Sequence, residues 1–534
     1  MKKTFMNTKY IGLLVILLGF TACNEIEDVL VDNNIDTSTE LLPDLVSGSV
    51  DFSNYVAIGA SFTAGYTDGA VFIAGQENSF PNILAKEFAK VGGGAFTQPL
   101  MNDNTGGMVF GPFPAAEYRL IFNGAGPQRL NQFLADLGAP VPPITTDASV
   151  NIGSSFNNVG VPGARSFEIT FPGYGNFNPY FGRMASSAGA SVLGDALSQN
   201  PTFYTLSELG GNDVLGYATS GGIGLDQTGN YNAASYARND ITDPNVFASV
   251  FTEIVSTLSA TGAKGVVTNV PYITDLPYFT TIPNNALVLD AATAGQLTGV
   301  FQAVSGIFLQ GLLLQGVPLE QAQALAAQYA ITFNAGPNRF LIDVPVTQTN
   351  PLGFKQMSEE ELLLLPIDRG ALAQGYGTVA LTNEVLQVLG LLQAGGTPTA
   401  EQAGLVIAAV NGIDDIDALD TDELASIKNA TDAYNDTISA VASANENVAL
   451  VDLNSILTEL ASVGTNFDDY TLDASLVTGG AVSLDGIHLS ARGYAFMANK
   501  FLEAIDNQFG SNFMASGNAA KAGDYPTNYS PGLQ

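Results

Sequence analysis

Residues 54–65 read Asn54-Tyr55-Val56-Ala57-Ile58-Gly59-Ala60-Ser61-Phe62-Thr63-Ala64-Gly65. The run from Tyr55 to Ile58 has none of the polar alternation of a strand with one wet face, so it predicts a strand buried on both sides. Gly59 ends it in a turn. Further on, Ser79 and Pro81 open a helix that runs through Phe88, and Gly92-Gly93-Gly94 stop it. A buried strand, a turn and a helix make the first unit of an α/β fold.

The same order returns downstream. Residues 155–159 are a short strand candidate and 202–206 a stronger one. Residues 265–270 predict a buried strand stopped by Pro271, and 448–452 another. Between them, 247–258 has helical spacing. Asp420 with Glu423 resembles a capping box, after which Leu424, Ile427, Tyr434, Ile438 and Val441 share one helical face. Residues 493–505 close the domain as an apolar helix. Alternating strands and helices predict a parallel sheet with helices on both faces. Ligands then bind beyond the C-terminal ends of the strands. Residues 93–150 read as loop. Residues 288–412, rich in Leu, Ala, Gln and Gly, read as a mostly helical insertion with one strand near 340–344. The domain is expected over 51–510, with a tail at 511–534.

The N-terminus predicts targeting. Lys2, Lys3 and Lys9 precede an apolar run at 11–20, too short to span a bilayer but suited to a signal sequence. Thr21-Ala22-Cys23 follows. Small residues ending in Cys after such a run resemble the lipobox of bacterial lipoproteins, although Phe20 stands where that box usually has Leu. The resemblance implies removal of 1–22, acylation of Cys23 and a stable membrane anchor. A plain signal peptide cleaved nearby is the alternative. Asn24-Glu25-Ile26-Glu27-Asp28 resembles the acidic export tags of surface lipoproteins of Bacteroidetes-type bacteria. It implies an outer-membrane lipoprotein facing the periplasm or the cell exterior, tethered through 23–50.

Composition removes several chemistries. Cys23 is the one cysteine and His488 the one histidine. An intrachain disulfide, a Cys nucleophile and a zinc site built on His or Cys are therefore not expected. A formal charge of −33 repels nucleic acid. No phosphate-binding loop or dinucleotide fingerprint occurs. Asp414-Asp415-Ile416-Asp417 lacks the glycine of a calcium loop. No cofactor and no metal are expected. After the signal no apolar run is expected to reach the length of a transmembrane helix; the nearest, 307–331, is interrupted by Gly311, Gly316, Pro318 and Glu320.

Four polar segments follow predicted strands. Ser61 stands where a sharp strand-to-helix turn would expose its hydroxyl. Asn158-Val159-Gly160-Val161-Pro162-Gly163 lets backbone N–H groups approach a ligand, though alone it reads as an ordinary turn. Leu209-Gly210-Gly211-Asn212-Asp213 would place the Asn212 amide in a cleft, or cap a helix. Asp485-Gly486-Ile487-His488 sets a carboxylate three residues before the imidazole, where it can accept from Nδ1–H and leave Nε2 as base. Capping by Ser490 accounts for that loop but not for its histidine.

Together these blocks resemble the SGNH hydrolases, the GDSL family of esterases and lipases. Ser61, Gly163, Asn212 and His488 match the four residues that name it, and Asp485 its acid. Gly210-Gly211-Asn212-Asp213 and Asp485-Gly486-Ile487-His488-Leu489-Ser490 match closely. Gly59-Ala60-Ser61-Phe62 departs from the usual Gly-Asp-Ser-Leu. The match covers roughly 52–290 and 420–507 and leaves the insertion unexplained. It implies a flavodoxin-like three-layer α/β/α fold and an acyl-enzyme mechanism. Ser61 would be nucleophile, His488 base and Asp485 its orienting acid. The N–H groups of Ser61 and Gly163 and the Asn212 amide would bind the oxyanion. Lipid or short acyl esters are the expected substrates. A polysaccharide O-deacetylase of the same fold and a non-catalytic surface binding protein are the alternatives. Two features stay open: the aromatic run from Phe171 to Phe181 lines the cleft or packs on the core, and Leu362-Leu363-Leu364-Leu365 is a lid or extra core.

Overall fold

Five strands form one parallel sheet: β1 (Tyr55–Gly59), β2 (Asn158–Gly160), β3 (Phe203–Ser207), β4 (Lys264–Thr268) and β5 (Val448–Val451). Their spatial order is β5-β4-β3-β1-β2. This computed structural model describes residues 42–533, so the signal segment, Cys23 and the tether up to residue 41 lie outside the described residues. Every residue of β1 and β3 is buried, as unbroken apolar runs in a covered sheet require. Gly59 lies opposite both Gly160 and Ser207, so β2, β1 and β3 end level. The chain runs out from β1 to β2 on one side and then returns to β3 on the other. That reversal opens a crevice beyond the strand ends between β1 and β3. The protein is therefore α/β with a parallel sheet.

The helices that matter to the site are α1 (Ser61–Ala64), α2 (Phe80–Phe88), α3 (Asn212–Thr219), α4 (Pro244–Ala260), α5 (Thr421–Ser443) and α6 (Ala491–Phe509). Asp243 caps α4, accepting from the N–H groups of Asn245 and Val246, with Pro244 at the first position where its missing N–H costs nothing. Asp420 and Glu423 form the reciprocal box expected at α5: Glu423 N donates to Asp420 Oδ1 (3.0 Å) and Asp420 N to Glu423 Oε2 (2.7 Å). Ser490 caps α6 through Gly493 N, and Gly510, at φ 75°, ends it. Phe80 of α2 stacks on Phe501 of α6 at 4.8 Å, and Phe247 of α4 on Tyr434 of α5 at 4.4 Å.

The insertion differs from its expectation in one respect. Helices Ala291–Leu314, Leu319–Ala327, Asn383–Gln393 and Ala400–Ala408 are present, but so are four short antiparallel pairs rather than one strand. Strands of two or three residues are too short to show an alternation in sequence. Ala291–Leu314 is long and apolar enough to cross a membrane by length and composition. It nonetheless buries Leu297, Val300, Phe301 and Val304 in the insertion's own core. Leu363 and Leu364 are buried, Leu364 within the main core, while Leu362 and Leu365 are half-buried, so at least the middle of the leucine run is packing. Residues 93–150 contain two hairpins, Met108–Phe110 with Phe113–Ala116 and Leu120–Phe122 with Pro127–Arg129, and the helix Leu130–Asp136.

The C-terminal stretch is tied down. Tyr529 is buried, packs edge-on against Phe72 at 5.0 Å and accepts from Asn78 Nδ2. Arg119 Nη2 donates to the carbonyls of Ser530 and Leu533. Leu45–Met514 and the described residues from Asn518 onward form one compact unit.

Candidate active site

Ser61 is the first residue of α1, two positions past the end of β1, and is 7 % exposed. A helix of four residues cannot hold such a turn alone. Glu208, directly after β3, does much of the holding. Its Oε1 accepts from Ala60 N (2.7 Å) and Thr63 N (3.2 Å), and its Oε2 from the Thr63 hydroxyl (3.3 Å). Glu208 adopts φ 47°, a left-handed conformation unusual for a residue with a side chain. Burial pushes its carboxyl up to about 7, against the pull of these hydrogen bonds. From the other side, Asn158 Nδ2 donates to Thr63 O at 2.8 Å.

The chain after β2 runs alongside α1. Val161 N donates to Gly59 O (3.0 Å). A Cβ at Gly160 would stand 2.4 Å from Ala64 N, so only glycine allows this approach. Gly163, at φ 77°, then turns the chain. The turn is fastened to α3: Asn212 Nδ2 donates to Ala164 O (2.9 Å), and Asp213 accepts from Ser166 N (2.9 Å) and Ser166 Oγ (2.7 Å). Asn212 is inside the helix and caps nothing; the cap position is Gly211. The bond to Ala164 uses one of its two amide hydrogens.

The fourth element is the loop before α6. Asp485 Oδ2 lies 2.9 Å from His488 Nδ1, and its Oδ1 accepts from His488 N (2.8 Å), Ile487 N (2.9 Å) and Ser483 Oγ (3.0 Å). Burial works to raise the Asp485 carboxyl. The His488 charge and these hydrogen bonds overcome it and hold the group well below the usual carboxylate range.

This loop is clamped to the segment that follows Ser61. Gly69 N donates to Asp485 Oδ2 (2.8 Å), Asp68 N to Ser483 Oγ (3.0 Å), Leu484 N to Asp68 Oδ1 (3.1 Å) and Tyr494 OH to Tyr66 O (2.6 Å). The rings of Tyr66 and Phe62 lie 4.4 and 5.7 Å from the imidazole. Among the described residues no hydrogen bond joins Ser61 Oγ to His488. Such bonds are often open before substrate binds. Gly486, at φ 76°, sits against Tyr278, whose N–H donates to the Gly486 carbonyl (3.0 Å).

The structure thus brings Ser61, Gly163, Asn212, Asp485 and His488 to one end of the sheet. Sequence reasoning missed Glu208 and Asp68; an acid set in an otherwise apolar run, Leu206-Ser207-Glu208-Leu209, was the available signal. The aromatic run is mainly packing: Tyr174 and Phe181 are buried in the main core, Phe171 and Phe177 stay exposed, and Asn178 Nδ2 supports the Pro162 carbonyl at 3.0 Å. A cavity of about 810 Å³ opens in the insertion beside Leu287, Leu297 and Phe340 and touches none of the motif residues. Among the described residues no group of three His, Cys, Asp or Glu side chains could hold a metal. No family model, curated protein or solved structure matches the chain.

Proposed function

We propose that the chain is a serine ester hydrolase of the SGNH type, with a flavodoxin-like three-layer α/β/α core, anchored at the outer membrane by a lipid on Cys23. The strand order β2-β1-β3-β4-β5, with Ser61 and Asn212 on either side of the reversal, supports the fold assignment. The anchor rests on the sequence alone. The observation that carries the activity is the Asp485–His488 pair, bonded at 2.9 Å and clamped to the segment leaving Ser61.

The chemistry follows from that pair. Asp485 keeps the proton of His488 on Nδ1, so Nε2 is the base. Nε2 takes the proton of Ser61 as Oγ bonds to the ester carbonyl carbon. The carbonyl oxygen becomes an oxyanion, met by the N–H groups of Ser61 and Gly163 and the second amide hydrogen of Asn212. The tetrahedral centre collapses, the bond to the alcohol oxygen breaks, and the imidazolium gives its proton to the departing alkoxide. Water then gives a proton to Nε2 and attacks the acyl-enzyme, releasing the acid and restoring Ser61. Only protein groups and water take part.

A fluorophosphonate probe tests the reading. Wild-type protein is expected to become labelled, and Ser61→Ala to resist. Unlabelled wild type would assign the fold to binding without turnover.

A further inference from the structure

Arg238 stands at the rim of the candidate oxyanion site. A Cβ built on Gly163 would lie 2.7 Å from its Nη2, so the guanidinium rests directly on the turn whose N–H the proposed mechanism assigns to the oxyanion. Its setting is unusual for this chain. The protein carries 51 acidic residues against 18 Lys and Arg, so a cation readily finds a carboxylate. Among the described residues Arg238 pairs with none, and its guanidinium donates to no carbonyl. The nearby Glu168 is already engaged by Arg165 Nη2, by Arg165 N and by the Tyr174 hydroxyl.

The backbone that carries Arg238 is fixed. Arg165 Nη1 holds the Ala237 carbonyl (2.9 Å), and Ala237 N donates to Asp240 Oδ2 (2.8 Å). Gly216 of α3 packs so closely that a Cβ there would stand 2.9 Å from the Arg238 carbonyl oxygen. A guanidinium on a rigid platform, without an internal anion, has its fork of donors available to a ligand.

Resting on the ester-hydrolase reading, we propose that Arg238 determines specificity for esters whose acyl part carries an anionic group, such as the monoesters of a short dicarboxylic acid. The carboxylate would sit on the Arg238 fork while the ester carbonyl enters the pocket of Gly163 and Asn212. The contact is at the exposed rim, so its effect on selectivity is about tenfold, toward the lower end for a charge-assisted pair.

Two methyl esters on the same acyl chain separate charge from shape: methyl hydrogen succinate, an anion, and dimethyl succinate, which is neutral, both stable in neutral buffer and followed by acid release. Wild-type kcat/KM is expected to favour the anionic ester about tenfold, with the preference shrinking in high salt. Arg238→Gln should bring the ratio to one or below, and Arg238→Lys should restore part of it. An unchanged ratio in Arg238→Gln overturns the proposal, including the case where both esters slow equally, which would make Arg238 a general oxyanion donor. A second measurement needs no turnover: calorimetric titration of monomethyl succinate into Ser61→Ala, with and without Arg238→Gln. Weaker binding in the double variant supports the anion contact, and equal affinity refutes it. Absence of hydrolysis of either ester by wild type counts against the hydrolase reading alone, because the titration still reads Arg238.

Discussion

Glu208 is the side chain on which the Ser61 turn depends most directly, because its Oε1 accepts from both Ala60 N and Thr63 N. Glu208→Ala leaves those buried N–H groups without an acceptor, at about 1–3 kcal/mol each. It should lower the urea midpoint and kcat together. Glu208→Gln keeps the accepting oxygen and should preserve both; an Ala variant with normal kcat would remove Glu208 from any positioning role. In the proposed reaction Asn212 acts on the oxyanion itself. Asn212→Ala should cost roughly 10²–10³ in kcat with little change in KM, and steady-state kinetics on a neutral ester read this. The acid limb tests the pair of His488 and Asp485. Because the Asp485 carboxyl is held far below the usual range, it keeps its negative charge across that limb. Log kcat/KM should then fall by about one decade per pH unit; a slope of two would bring Asp485 into the same titration. Ser61, Asn212, Asp485 and His488 were legible because each sits in a short polar block after an apolar run. Glu208 and Arg238 were not, since what they touch lies far away in sequence.

At the scale of elements, close approach sets the geometry. β2 can lie against α1 because Gly160 has no side chain: a Cβ would stand 2.4 Å from Ala64 N and 2.7 Å from the Thr63 carbonyl carbon. Backbone cannot yield as a flexible side chain does, so Gly160→Ala must push β2 or the Ser61 turn aside. The expected cost is about 1–3 kcal/mol in denaturant unfolding, as for overpacking elsewhere, with slower fluorophosphonate labelling. A labelling rate equal to wild type would show that the turn does not depend on this contact. Long elements were legible: the strand read at 265–270 is Lys264–Thr268, and the helix read at 247–258 extends to Pro244–Ala260, lengthened by the cap at Asp243. The strand read at 155–159 shifts to Asn158–Gly160, Ser155 taking a left-handed φ of 73° that no strand residue adopts. The antiparallel pairs of the insertion were not legible, because strands of two or three residues paired across long stretches of chain owe their existence to packing, not to local pattern.

Over the whole molecule the strand order was the least legible feature, since five similar apolar runs do not say which neighbours which; pairing places β3 beside β1 although β2 comes between them in sequence. Charge has a global consequence as well. Burial pushes both Asp68 and Glu208 up to about 7. The folded protein therefore keeps these two protons at pH values where the unfolded chain, with ordinary carboxyls, has released them. Below about pH 7 the native state binds more protons, so stability rises as pH falls, until the unfolded chain also takes up its protons near the ordinary carboxylate range. Asp485 works in the opposite sense. Its depressed value adds stability that is intact above the ordinary range and lost only in strong acid. Tm measured by calorimetry should accordingly climb from about pH 8 to about pH 5 and then drop. Relief of self-repulsion in a chain of charge −33 contributes to that climb, but it does so equally when Asp68→Asn and Glu208→Gln are combined. The difference between the two curves isolates the two carboxyls: the double variant should show a flatter rise, whereas curves of the same shape would mean that neither group holds a proton near neutrality.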